Sequence, residues 1–145
     1  MTPPRLDSET RERIARQFIQ AIPHAGALGM RMVSISDGAA EMALDWRPDL
    51  VGDPRTGVIH GGVVSALMDT CSGAAVLAHP DQPTSTATID LRIDYMRGAT
   101  PGQTIRARAE CFHVTRTVAF VRAVTLDDDE SRPIATASGA FTMER

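Results

Sequence analysis

The chain has 145 residues, 43% of them hydrophobic and 23% charged, with a formal net charge of -3. That length suits one domain, spanning residues 1–145, with a core large enough to need no staples. The mild acidic balance gives no electrostatic footprint for nucleic acid, so neither DNA nor RNA is expected as a partner.

The first residues, MTPPRLDSETRER, are polar and charged where a secretion signal needs an apolar stretch. No run reaches the roughly 18 residues a membrane helix requires without polar interruption. The expectation is a soluble, cytoplasmic protein with no membrane partner. A first helix is predicted from Asp7 or Ser8, either of which can cap it, with Ile14, Phe18 and Ile22 on its packed face and Pro23 as its stop. Two strands, Met30 to Ser36 and Ala39 to Trp46, are joined by the hairpin dipeptide Asp37-Gly38. A loop rich in Pro, Asp and Gly (RPDLVGDPRTG) leads from them to an apolar helical run, Gly61 to Ala78.

Beyond His79-Pro80 the pattern is entirely β. Ala87, Ile89, Leu91, Ile93 and Tyr95 alternate with Thr88, Asp90, Arg92 and Asp94, which predicts a strand with one buried face. Thr100-Pro101-Gly102 turns the chain into a strand with Ile105, Ala107, Ala109 and Cys111 on its inner side. Two more strands are predicted near Val118 to Leu126 and Ile134 to Met143, separated by the acidic turn Asp127 to Glu130. Cys71 and Cys111 both lie in apolar segments with no metal or redox spacing, and read as reduced core residues. The fold class is α+β: a curved antiparallel sheet of about six strands around one long central helix, with an N-terminal helix beside it. The dimensions agree, since an 18-residue helix is about 27 Å long and a ten-residue strand about 33 Å.

The central helix carries the chemistry. At 100° per residue Gly61, Ser65, Asp69 and Ser72 share one narrow stripe, with the two serines expected to bond back to the preceding turn. Asp69 is the exception, because a carboxylate on so apolar a helix is costly to bury without a partner or a task. His60, Gly61 and Gly62 open the helix, where the first N–H groups lack intrahelical acceptors and the dipole favours negative charge. Glycine lets a ligand atom approach such an N–H closely. HGG by itself leaves two readings open, an oxyanion site or a tight turn with His60 as a cap.

Gly61 and Asp69 stand eight residues apart, about 12 Å of helix rise. Within one chain they cannot serve one reacting carbon. If both act on one carbonyl, they must come from two subunits related by a two-fold axis between antiparallel helices.

At TGVIHGGVVSALMDTCSGAA (Thr56 to Ala75) the sequence resembles the hotdog-fold acyl-CoA thioesterases of the phenylacetate-degradation (PaaI) type. The likeness extends from Leu28-Gly29 through ATIDLRIDYMRGA and TRTVAFVRAV. It implies a hotdog domain, hydrolysis of an acyl-CoA thioester, and a homodimer with a shared active site that pairs into a dimer of dimers. By the same resemblance Asp69 matches the general base or nucleophile, Gly61 the oxyanion-hole N–H, and His60 the residue that arranges this loop. Thr88 falls where relatives carry a serine that orients water. Arg97 and Arg116 are candidates for the CoA phosphates, with a solvated turn residue as the equal alternative for each. His24, His79 and His113 show no ligand spacing, so no metal is expected; no cofactor is expected either, CoA being part of the substrate. One departure stands out: six residues before the histidine, where many relatives have Asn, this chain has Pro54. A non-catalytic acyl-CoA binding module is the second reading. A hydratase ranks last, for want of a D-x-N-x-x-H arrangement.

Overall fold

The computed structural model describes residues 4–145; Met1 to Pro3, the start of the polar N-terminal stretch, lie outside them. Helix α1 (Ser8–Gln20) is capped by Asp7, whose carboxylate accepts the Thr10 N–H at 2.8 Å. Its packed face differs from the expected one: Arg11, Ala15 and Ile19 are buried, while Ile14 and Phe18 are 46% and 42% exposed. The reason is Arg11. Its guanidinium pairs with Asp37 in the Asp37-Gly38 hairpin turn and bonds the Leu6 carbonyl, so its aliphatic stem lies along the core. Pro23 ends this helix by opening another, α2 (Pro23–Leu28), where the fixed φ of proline suits the first helical turn.

Strands β1 (Arg31–Ser36) and β2 (Ala39–Leu44) form the predicted hairpin. Trp46 lies just beyond it and donates its indole N–H to the Gly57 carbonyl at 2.8 Å. The segment expected to be plain loop holds a single 3-10 turn (Pro48–Leu50) and a small hairpin, β3 (Val51–Asp53) with β4 (Val58–Ile59). This hairpin delivers His60: its N–H donates to the Leu50 carbonyl at 2.9 Å.

The central helix α3 (Gly61–Leu77) is followed by β5 (Thr88–Tyr95), β6 (Ile105–Val114), β7 (Val118–Leu126) and β8 (Ala135–Thr142). The antiparallel sheet runs in the order β1-β2-β6-β7-β8-β5, and α3 packs mainly on β2, β6 and β7. Met42, Leu44, Ile105 and Ala107 from the strands meet Leu67, Met68, Cys71 and Ala75 from the helix. A six-stranded sheet curled round one apolar helix is the hotdog arrangement. Burial pushes the Cys71 thiol up to about 12 and the Cys111 thiol up to about 11, so both sulfurs are held as unreactive thiols. Among the described residues no helix is long and apolar enough to cross a membrane.

Two expectations fail along the helix and the edge strand. Ser72 is fully buried and its hydroxyl has no partner among the described residues, so it belongs to the packed side rather than to an open stripe. The sheet closes over this part of α3, where Gly73 lies against the Phe141 ring. Strand β5, predicted to bury one face, stays largely open at the sheet edge, with Ile89 55% exposed. Its strict alternation is broken by a bulge: Thr88 pairs with Phe141 and Asp90 with Ala140, which leaves Ile89 over.

Candidate active site

The start of α3 is built around one imidazole. His60 is the N-cap, and its Nδ1 accepts the Gly62 N–H at 2.8 Å, so the neutral ring carries its proton on Nε2. A Cβ on Gly62 would stand 2.9 Å from that Nδ1, which is why the second glycine is needed. Gly61 is different. A Cβ there would make only an ordinary 3.5 Å contact with the Tyr95 ring, so packing does not demand glycine. Among the described residues its N–H has no acceptor, as expected for the first residue of a helix. Tyr95 donates its hydroxyl to the Gly61 carbonyl at 2.8 Å. Gly61, Val64, Tyr95 and Met96 help to line a cavity of about 350 Å³.

Two turns further on, Asp69 and Thr88 come together. The Thr88 hydroxyl donates to Asp69 Oδ1 at 2.6 Å. Asp69 is half-buried at the edge of the core, so the carboxylate keeps access to water. With Ser65, Ala66, Leu91 and Ile93 the pair lines an open cavity of about 360 Å³. Ser65 returns its own hydroxyl to the Gly62 carbonyl at 2.9 Å, as expected. The Gly61 and Asp69 cavities share no lining residue. A main-chain donor and a carboxylate thus stand in separate places along one helix.

The arginines part company. All five N–H groups of Arg97 are spent inside the chain: two on the Asp127 carboxylate at 2.7 Å each, two on the Arg132 carbonyl and one on the Gly98 carbonyl. None remains for a CoA phosphate, so Arg97 braces the turns on either side of it. Asp127 is fully buried and also accepts the Thr100 and Asp129 N–H groups. The Arg97 guanidinium holds its carboxyl well below the usual carboxylate range. Arg116 is exposed in the turn between β6 and β7, and its guanidinium makes no hydrogen bond or ion pair among the described residues. That turn lies at the Thr88 end of the sheet, because Val118 pairs with Thr142 beside the Thr88–Phe141 pair. Pro54 is exposed at the β3–β4 turn.

Sequence reasoning missed Tyr95 as a partner of the helix start and treated it as one more apolar position. The available signal was that a tyrosine on a half-buried face needs an acceptor for its hydroxyl. Among the described residues no three His, Cys, Asp or Glu side chains gather as a metal-binding set.

Residues 56–134, just over half of the chain, match the thioesterase superfamily. The medium/long-chain acyl-CoA thioesterase YigI of Escherichia coli K12 is 27% identical over 143 residues, covering 90% of this chain and 91% of that protein. Among solved structures, a Pseudomonas aeruginosa protein is 35% identical with a TM-score of 0.81, covering 91% of this chain and 98% of its own. The E. coli PaaI protein from the phenylacetic acid degradation operon, 20% identical, shares the fold with a TM-score of 0.85 over 95% of this chain and 96% of its own. The matched segment contains the helix start, Asp69 and Thr88 alike. With its hotdog fold and that match over more than half of its length, the chain belongs to the thioesterase superfamily.

Proposed function

We propose that this protein hydrolyses an acyl-CoA thioester with an aromatic or medium-length acyl group, in an active site shared by two subunits. The observation that carries the reading is the Thr88–Asp69 hydrogen bond in an open cavity lined by Leu91 and Ile93. The hydroxyl holds one carboxylate oxygen and leaves the other for a water molecule. Asp69 takes a proton from that water as its oxygen attacks the carbonyl carbon, the C–S bond breaks, and CoA leaves as the thiolate. The thioester oxygen lies at the Gly61 N–H of the facing subunit, a donor of the kind worth about 10²- to 10³-fold in rate. A carboxylate is a weak base toward water, so positioning supplies much of the effect. Arg116 is the side chain proposed for the CoA phosphates, and the cytoplasm is the proposed location.

The edge strand supports the pairing of subunits, because β5 leaves its own backbone edge open, with Ile89 exposed next to Thr88 and with Tyr95 and Met96 exposed at the Gly61 cavity. Release of free thiol from phenylacetyl-, hydroxybenzoyl- and straight-chain acyl-CoA tests the reading. Asp69→Asn is expected to abolish turnover while leaving fold and acyl-CoA binding intact. Near-normal turnover in that variant removes the assignment. Binding without thiol release by the unmodified protein supports instead the non-catalytic module, the reading that Pro54 in place of an amide side chain keeps open.

A further inference from the structure

Period-two alternation puts Thr88 on the same side of β5 as Asp90, Arg92 and Asp94, facing away from α3. Its hydroxyl nevertheless reaches Asp69. The reversal is the work of the bulge, which inserts Ile89 between the Thr88–Phe141 and Asp90–Ala140 pairs and moves Thr88 to the face that carries Leu91, Ile93 and Tyr95. A bulge is an interruption of the ladder, and something must satisfy the groups it leaves over. Here the Asp90 side chain does so: its Oδ1 accepts the main-chain N–H of Ala140 at 3.0 Å. Gly139 completes the arrangement, since a Cβ there would stand 2.3 Å from the Asp90 carbonyl oxygen. No other residue lets β8 approach the bulged strand so closely. On the N-terminal side, the Ala87 N–H donates to the Thr142 hydroxyl at 2.9 Å and the Thr142 N–H to the Ala87 carbonyl at 2.7 Å, so the chain enters the bulge already anchored.

We propose that Asp90 is a positioning residue for the hydrolysis: by holding the Ile89 bulge it turns the Thr88 hydroxyl onto Asp69 and fixes which carboxylate oxygen is presented to water. The inference rests on the reading of Asp69 as the base. Asp90 touches no reacting atom; its carboxylate lies on the far side of the strand, where alternation alone marks it as a solvated charge. Its effect passes through Thr88, and this separates it from a merely stabilising residue on an exposed edge.

The test uses the full chain and thiol release from an acyl-CoA that the unmodified enzyme hydrolyses. Thr88→Val is expected to lower kcat about tenfold with KM within about twofold, the loss that misplacing a catalytic group produces. Asp90→Ala is expected to lower kcat several-fold with KM again little changed. Asp90→Asn, which keeps an acceptor oxygen for Ala140, restores kcat to within about twofold of the unmodified enzyme. In the Thr88→Val background, Asp90→Ala costs nothing further, because the hydroxyl it aims is already gone. Asp90→Val removes the acceptor while favouring a strand, and reads the same way should the alanine variant fold poorly. Unchanged kcat in Asp90→Ala and Asp90→Val overturns the proposal. So does an Asn variant as impaired as Ala, or losses that multiply in full in the double variant. Activity surviving in Asp69→Asn is a separate result, which removes the hydrolytic reading itself.

Discussion

The peptide unit between Gly61 and Gly62 is held at both ends, its carbonyl by the Tyr95 hydroxyl and its N–H by His60 Nδ1, each at 2.8 Å. With that plane fixed, the neighbouring Gly61 N–H keeps one direction without needing an internal acceptor. Tyr95→Phe removes one clamp while keeping the ring, so kcat is expected to fall a few-fold, with about 1 kcal/mol lost in stability as for one hydrogen bond. Steady-state kinetics with a thermal melt checks both. Asp127 makes a second prediction at this scale. Its folded carboxyl titrates below the ordinary range, so the stability it contributes is present in full above pH ~4 and is lost as pH falls through the folded value. Asp127→Asn breaks a buried pair and is expected to cost about 3 kcal/mol at neutral pH. In acid the gap between the two proteins narrows, which denaturant melts from pH 7 down to about pH 2 measure. The pair was invisible in the sequence because Asp127 and Arg97 are far apart along the chain. An Asp-rich turn also looks the same whether or not its first carboxylate is buried.

At the scale of elements, the central helix and its cap were legible because several signals agreed. An apolar run began at a glycine pair after a capping residue, and one acid interrupted it. The first helix was legible as a helix, but its packed face was not. Ile14, Phe18 and Ile22 form the more hydrophobic stripe, yet within the helix Arg11, Ala15 and Ile19 are the residues that pack, since only that stripe brings Arg11 to Asp37, while Ile22, just past the helix, does reach the core. Ile19→Ala is therefore expected to cost about 2–4 kcal/mol, in the range for a buried isoleucine. Phe18→Ala costs under about 1 kcal/mol, and chemical denaturation of the two variants ranks them. The opposite ranking would show that the Phe18 face is covered in solution. The β5 bulge was illegible for a different reason: alternation counts residues along one strand, whereas a bulge is a mismatch between two. Gly139 lies some fifty residues beyond Asp90, and only the register joins them.

At the scale of the whole molecule, the two edges of the sheet are unequal. Both β1 and β5 end the ladder, but β5 runs beside the half-open stripe of α3 that holds Gly61, Ser65 and Asp69. A two-fold axis along that edge would bring the Gly61 N–H of one copy toward the Asp69 carboxylate of the other, which the separation along a single helix forbids within one chain. Complementation tests this with two inactive variants. Asp69→Asn removes the proposed base. Gly61→Pro removes the N–H and keeps the helix start, because proline is favoured at the first helical position and His60, at ψ 135°, already has the backbone that precedes a proline. Each variant alone is expected to be inactive. If they are unfolded and refolded together, about half of the dimers are mixed, and each mixed dimer rebuilds one of its two sites, so about a quarter of the unmodified activity returns. A site contained in one protomer predicts no recovery at any ratio, since neither chain then holds both groups.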